Sequence, residues 1–395
     1  MRKNTIVLFL FTSALSLSAQ NVDKDKASLM SEIVKNNTTL AAFRQKADAA
    51  KQMNGVDNAL PDPSFNFSNN WGNQPGTITS QSYSIEQELD WGTLSGQRRK
   101  TTKSTNKAVD LNYLVQRQTI LAEADRLIVE LTYYNALCDE LAMREERAAN
   151  LKLLYQKKYE AGDADKLELN KVKLSHTATI AELRKAKADR DAVKEDLQRL
   201  NGNQAIIYNH SRYAKTVIPP LAELIKKAET IAPQIALVTQ SIEVEQQKLK
   251  LNKSAAIPNL TVGYAGSSAR KVRTNAVTIG IDIPLWGNSR KKVSQQRAEI
   301  AVAEMEKNDV ETQIKATLQR QFANATSLEQ ISNQFHKELN ENEDIIILDK
   351  ALDAGKLSLI EYLNEITFYY SAHTQALEAE RDAQLAISDL WTIFR

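Results

Sequence analysis

The sequence predicts a mostly α-helical chain with a small β part. Long antiparallel helical hairpins carry two isolated pairs of short strands, and the whole unit occurs twice. Three observations lead there. The chain matches itself at an offset of 195 residues: Leu29 with Leu224, Leu40 with Ile235, Gln45 with Gln240, Pro63 with Pro258, and Trp91-Gly92 with Trp286-Gly287. Self-similarity at a fixed period marks one supersecondary unit used more than once. Glycine (12) and proline (8) are so few among 395 residues that little interrupts a helix over most of the chain. Short runs of alternating polarity follow Pro63 and Pro258, at matching places in the two copies.

Arg2 and Lys3 precede an apolar run from Ile6 to Leu17, and Ser16, Ser18 and Ala19 supply small residues at its end. This reads as a secretory signal peptide, residues 1–20, because the run is too short to span a bilayer as a helix. The first repeat is expected over 21–207. It opens with a helix from about Ala27 to Asn58, which Pro61 and Pro63 end. Two strands follow within 63–90. Phe65, Phe67 and Trp71 share one face against Asn66, Ser68 and Asn70, and a turn is expected at Gly72-Asn73-Gln74-Pro75-Gly76. Tyr83, Ile85 and Leu89 then alternate with Ser84, Glu86 and Glu88. Beyond the Trp91-Gly92 corner a helix is expected from near Ser95. Its stretch from Gln97 to Glu160 alone would run roughly 95 Å at 1.5 Å per residue. Leu121, Ala124, Ile128, Leu131, Asn135, Cys138 and Ala142 step along it as a coiled-coil seam. Gly162 and Asp163 turn the chain, and a return helix is expected from Asp165 to Leu200.

The second repeat, 208–395, has the same order. A helix is expected from Leu221 to Ser254, with Pro258 breaking it, and strands within 258–285. Leu260, Val262 and Tyr264 form one apolar face, and Val277, Ile279, Ile281 and Ile283 form the other strand's. The last alternation is one residue out of step with its counterpart, so the pairing register must differ between copies. A basic loop (Arg270, Lys271, Arg273) separates the two strands. After the Trp286-Gly287 corner a long helix is expected to about Asp353. Gly355 turns it, and a final helix runs to about Trp391.

Strands of about ten residues suffice to cross a bilayer at a tilt. A half-buried sheet in a soluble protein alternates in the same way, but the export segment and the aromatics at Trp71, Tyr83, Trp91, Tyr264 and Trp286, read as lying near strand ends, favour the membrane. Four strands cannot close a barrel, and an open edge in lipid leaves backbone groups unpaired at several kcal/mol each. Several protomers must therefore pool their strands; three would give twelve. Glu86, Glu88 and Asp282 would then face a watery lumen. Arg98, Arg99 and Lys100 follow one corner, and Arg290, Lys291 and Lys292 the other. Cations oppose a helix N-terminal dipole, so they are either solvated or set against lipid phosphates.

The segments "YSIEQELDWGTLSGQRR" and "VTIGIDIPLWGNSRKK", with the turns "YEAGDADKLEL" and "LDAGKLSLIEYL", resemble the TolC-type outer-membrane efflux proteins over essentially the whole mature chain. The resemblance implies a homotrimer with a twelve-stranded barrel in outer-membrane lipid and a helical tunnel reaching into the periplasm. It also implies a periplasmic adaptor and an inner-membrane pump as partners. "PDPSF", "IEQEL" and "IDIPLW" are similar to the cation-efflux branch, which implies a proton-driven pump. Some relatives carry a lipidated N-terminal cysteine; this sequence does not, so anchoring is expected to fall to the barrel.

By the same resemblance, Tyr159 and Gly162 in one hairpin turn, and Leu352 and Gly355 in the other, would dock the adaptor; as helix caps they would look the same. Asp349 and Asp353 lie four apart on one helix face, so a trimer would stack them as carboxylate rings at an aperture. Asp163 and Asp165 are further candidates, and all four could equally be solvated tip residues. Trp71, Trp91, Trp286 and Tyr264 are the expected membrane-interface residues. The single cysteine excludes an intramolecular disulfide, and His176, His210, His336 and His373 lack ligand spacing, so no metal or other cofactor is expected. A net charge of +2 gives no nucleic-acid footprint. No nucleophile elbow or phosphate loop argues for an enzyme. The function expected is a passive exit duct; the alternatives are a periplasmic coiled-coil adaptor and a secreted structural coiled coil.

Overall fold

Helix breaks and strand boundaries fall at equivalent places in the two halves of the chain. The structure, a computed structural model, describes residues 22–71, 78–90, 92–255, 257–269, 272–282, 288–341 and 345–395. The first half contains α1 (22–36), α2 (Thr38–Val56), β1 (Ser64–Trp71), β2 (Ile78–Leu89), α3 (Gly92–Ala161) and α4 (Lys166–Leu200). The second half contains α5 (Leu221–Ile231), α6 (Pro233–Ser254), β3 (Asn259–Ala269) and β4 (Val272–Asp282). It continues with α7 (Asn288–Glu341), α8 (Ile345–Asp353) and α9 (Leu359–Trp391). The signal segment, the 72–76 turn, Arg270, Lys271 and the 283–287 corner lie outside the described residues.

Two helices expected as continuous are each two helices. In the second half Pro233 is the reason: it sits at the first position of α6, where its missing N–H costs nothing, behind an extended Ala232. In the first half the break is at Asn37, 195 residues earlier than Ala232. Its side-chain oxygen accepts from the Leu40 N–H (2.8 Å), and its amide donates to the Leu200 carbonyl (2.8 Å). An asparagine cap and a proline thus make the same break by different chemistry. The chain reverses below it at Asn201-Gly202-Asn203, where Gly202 takes φ +65° with no room for a side chain against the Asn36 carbonyl.

The chain forms two compact units. One takes the described residues up to Ala41, with Gln116–Ala228 and Lys315–Arg395; the other takes Ala42–Val115 and Glu229–Ile314. Each repeat contributes to both. The first unit has an apolar core in which Leu29 and Ile33 of α1 meet Ala124, Ile128 and Leu131 of α3 and Val193, Leu197 and Leu200 of α4. Leu121 through Cys138 are buried as the seam requires, but Asn135 is half-buried and donates to the His210 carbonyl (3.1 Å). Ala142 is exposed and Leu141 is buried in its place. A straight helix drifts about 20° per heptad against a 3.5-residue repeat, so the seam moves back by one residue. In the second unit Leu94, Ile235, Val244 and Ala303 are buried, and amides and hydroxyls also join the helices: Gln240 donates to Ser104 (2.8 Å), Gln97 to Gln247 (2.6 Å) and Asn54 to Asn106 (2.9 Å).

Asp125 of α3, its side chain 2 % exposed, gathers the ends of the first unit. Lys26 of α1 lies 2.7 Å away, and Ser388 and Arg395 close on its other oxygen. Burial alone would raise its pKa, but the Lys26 and Arg395 charges and the Ser388 hydroxyl outweigh burial and hold it below its ordinary value of 3.8. The resulting stabilisation is complete above that value and is lost as pH falls through the lowered native value. Asp125→Ala is expected to cost about 3 kcal/mol in chemical denaturation at pH 7. The gap between wild type and variant should narrow in titrations carried below pH 4; an unchanged gap there would refute the assignment.

Candidate functional site

Two regions answer to the sequence-derived sites. The first is the sheet of the second unit, a meander in the order β1-β2-β3-β4 with every neighbour antiparallel. The register aligns side chains in rows across it. Phe65, Ile85, Tyr264 and Val277 form one row, and Val262 with Ile279 and Leu260 with Ile281 extend it toward the helices. On the other face Ser84 lines up with Ala265 and Ala276, and Glu86 with Gly263 and Thr278. The apolar face is exposed, Phe65 at 64 %, Val277 at 72 % and Ile279 at 70 %, while the polar face is open on β1 and β4 and half-buried along β2. An uncovered apolar face of this size marks a surface made for lipid or a partner.

Trp71 stands at the far end of β1, exposed, as an interface anchor would. Tyr264 and Tyr83 do not. Both lie in mid-strand on the apolar face, with ring centroids 6.3 Å apart, because β3 and β2 extend further than their alternation alone suggested. Gly266 explains Tyr83: the phenol ring lies flat over it, occupying the space a side chain there would need. Gly263 makes similar room for Glu86, and Glu88 accepts from Asn259 (2.6 Å). Trp91 and Trp286 lie outside the described residues, as does the Asp282 side chain.

The second region is the pair of hairpin turns in the first unit, which are built alike. Gly162 (φ +84°) and Gly355 (φ +68°) take the left-handed conformation that ends a helix. Behind them Asp163 N–H donates to the Lys158 carbonyl (2.8 Å) and Lys356 N–H to the Ala351 carbonyl (2.9 Å), the paired closure of a Schellman turn. Each turn then starts its return helix with a capping box, Asp165 with Glu168 and Ser358 with Glu361. The signal that finds them in the sequence is Asp or Ser followed three residues later by Glu. Asp165 is therefore a helix cap. Leu352 is also not a presented docking residue: it is buried against Tyr362 and Ile366. Tyr159, Asp163 and Asp353 are exposed.

Asp349 is fastened within its own chain. Arg147 lies 3.2 Å from one oxygen and the Tyr362 hydroxyl donates to the other (2.7 Å). Burial, then this carboxylate, push the Tyr362 phenol far above its ordinary pKa. Arg147, Glu146, Asp349 and Asp353 all line one hollow of about 520 Å³, so an acidic cluster with one cation is assembled from α3 and α8. Sequence reasoning missed Arg147 and also Arg144. The latter is buried, stacks on Tyr370 (4.5 Å) and donates to Thr374 (3.1 Å) and the Tyr370 carbonyl (3.0 Å). Both arginines sit amid many solvated ones in α3, and only the packing of α8 and α9 sets them apart. Replacing the two cap residues, Asp165→Ala and Ser358→Ala, should each cost about 1 kcal/mol and raise amide hydrogen exchange only in the adjoining helix turns.

No protein-family model matches the chain, and no curated protein matches it in sequence. Solved structures do. CusC, described for conformational changes that accompany folding and transmembrane channel formation, superposes with a TM-score of 0.74 at 14% identity, over 94% of this chain and 92% of that one. The open-state MtrE outer membrane channel of Neisseria gonorrhoeae also gives 0.74, at 14% identity, over 93% and 88%. The CmeC outer membrane channel of Campylobacter jejuni gives 0.72, at 15% identity, over 95% and 86%. These proteins are channels rather than enzymes, and the TolC-type resemblance holds at the level of architecture: the chain has the fold of outer-membrane channels.

Proposed function

We propose that this chain is the outer-membrane exit duct of a tripartite efflux or secretion system, a passive conduit from periplasm to exterior. One observation carries the reading: a four-stranded sheet with two free edges, β1 and β4, turns an apolar face outward and a serine- and glycine-rich face the other way. Closing β4 of one copy on β1 of the next, three times, satisfies the edges and yields twelve strands with lipid outside and water within. The helical hairpins then extend into the periplasm, where the two glycine turns are the surfaces offered to an adaptor. The energy comes from an inner-membrane pump, for which the similarity to the cation-efflux branch favours a proton-driven type. A periplasmic adaptor or a secreted coiled coil would leave the exposed apolar sheet face unexplained.

Membrane fractionation followed by mass measurement in detergent tests the duct. Recovery in the outer membrane with the mass of three copies is expected, and a monodisperse monomer from the soluble periplasm would overturn it.

Within the same reading Asp353 and Asp349 ring the periplasmic aperture in three copies, with Asp163 beside them. Asp349→Ala with Asp353→Ala should weaken block of single-channel current by multivalent cations several-fold. Unchanged conductance and block would remove both residues from the aperture.

A further inference from the structure

We propose that the hollow between the end of α6 and the first turns of α7 binds the phosphate of an anionic phospholipid headgroup in the periplasmic leaflet; this rests on the duct reading and adds a site to it. The hollow measures about 350 Å³ and is lined by Lys253 from α6 and by Ser289, Arg290, Val293, Ser294 and Arg297 from α7. Three basic residues and two serines therefore border one space, with no acidic residue among them. None of the three cations has an ion-pair partner among the described residues.

The other repeat shows what the site has given up. At the 195-residue offset, Lys253 and Arg297 correspond to Asn58 and Thr102. There the Thr102 hydroxyl donates to the Asn58 side-chain oxygen (3.1 Å), joining the two helices by a neutral bond. The first repeat also keeps an acid at this level: Arg98 pairs with Asp90, whose side chain is 1 % exposed. The residues matching Arg98 and Asp90 are Val293 and Leu285, so that pair is absent as a whole and no acid stands in its place. The second repeat has thus replaced a neutral bridge by two cations. Like charges across a helix pair repel, and cations in the first turn of α7 also oppose its dipole. An anion among them relieves both.

Position names the anion. Lys253 stands six residues before Asn259 and Arg290 eight after Asp282, and Asn259 pairs directly with Asp282. Both helices therefore leave the sheet at one end. That end carries the last described apolar row, Leu89, Leu260 and Ile281. A cationic hollow just below a lipid-facing row lies where headgroup phosphates lie.

The test uses the full chain, purified in a neutral detergent and titrated with short-chain phosphatidylglycerol, with ³¹P line broadening as the readout. Short-chain phosphatidylcholine and glycerol 1-phosphate are the comparison ligands. Saturable binding of phosphatidylglycerol is expected, stronger than of either comparison. K253Q/R290Q/R297Q should weaken it about a hundredfold, at roughly fivefold per cation. K253N/R297T installs the pair the first repeat already uses, so it keeps the test valid if the triple variant misfolds; it should weaken binding by about twentyfold. K171Q/K173Q, on α4 in the first unit, should leave binding unchanged.

Equal binding of phosphatidylcholine, equal binding of glycerol 1-phosphate, or equal loss in K171Q/K173Q would each overturn the proposal. Undiminished binding in both pocket variants would do the same. If the wild type is a trimer in the outer membrane and binding still fails, the pocket alone falls. Recovery from the soluble periplasm would instead remove the duct reading first.

Discussion

An unpaired backbone edge is the constraint on which everything else in this protein turns. β1 and β4 each present a row of peptide groups with no partner strand among the described residues, and one face of the sheet between them is apolar and exposed. In water such a sheet invites aggregation; in lipid its edges cost several kcal/mol per unmet group. The described residues hold no further strand to solve either problem. In the proposed duct identical neighbours would solve both at once, since the edge left open in one copy would be met by the next. Closure by rotation would also fix the rest: whatever each protomer places on its polar face or at its hairpin turns would be presented as a ring.

The hairpin ends show how the other half of such a machine is kept in shape. Two long helical hairpins must reverse at the same level, and both do so with a left-handed glycine, a Schellman closure and a capping box. Buried Tyr155, Leu169, Val172 and Leu359 then tie the two turns together within the first unit. The acidic residues beside them are not alike. Asp353 stands free at the end of α8, while Asp349 is held by Arg147 and Tyr362. A carboxylate already paired contributes less to a ring's field than its formal charge suggests.

Much of this was legible in the residues. Pro61, Pro63 and Pro258 marked the helix-to-strand transitions, Gly162 and Gly355 the reversals, and the alternation from Phe65 to Ile281 the two faces of the sheet. What stayed hidden has physical causes. The α1–α2 break depends on Asn37 reaching Leu200, a contact 163 positions away that no local pattern encodes. Ala142 left the seam because helical drift accumulates over a helix as long as α3, and a heptad count does not carry that correction. Tyr264 reads from the sequence as an aromatic near a strand end; pairing that runs on to Ala269 and Val272 makes it a mid-strand residue. The Arg147–Asp349 pair joins helices 202 positions apart. Pro233 and the two capping boxes, by contrast, are local signals present in the sequence itself.

The duplication itself supplies the strongest argument for which side of the sheet matters. Transferring the first hairpin's pairing to the second by the 195-residue offset would set Leu260, the counterpart of Phe65, opposite Gly280, the counterpart of Ile85. The isoleucines at 279 and 281 would then join Glu86 on the polar face. The observed partner of Leu260 is Ile281, one residue further on, and Ala269 pairs with Val272 across a two-residue connection. Sequence pattern and register have moved together by one position, and because strand side chains alternate with period two, the two moves cancel. The backbone hydrogen bonds are indifferent to that slip, and so is the length of the hairpin. Only the requirement that Leu260, Val262 and Tyr264 share a face with Val277, Ile279 and Ile281 is sensitive to it; in the proposed duct, lipid on that face would be the pressure that kept the two copies in phase.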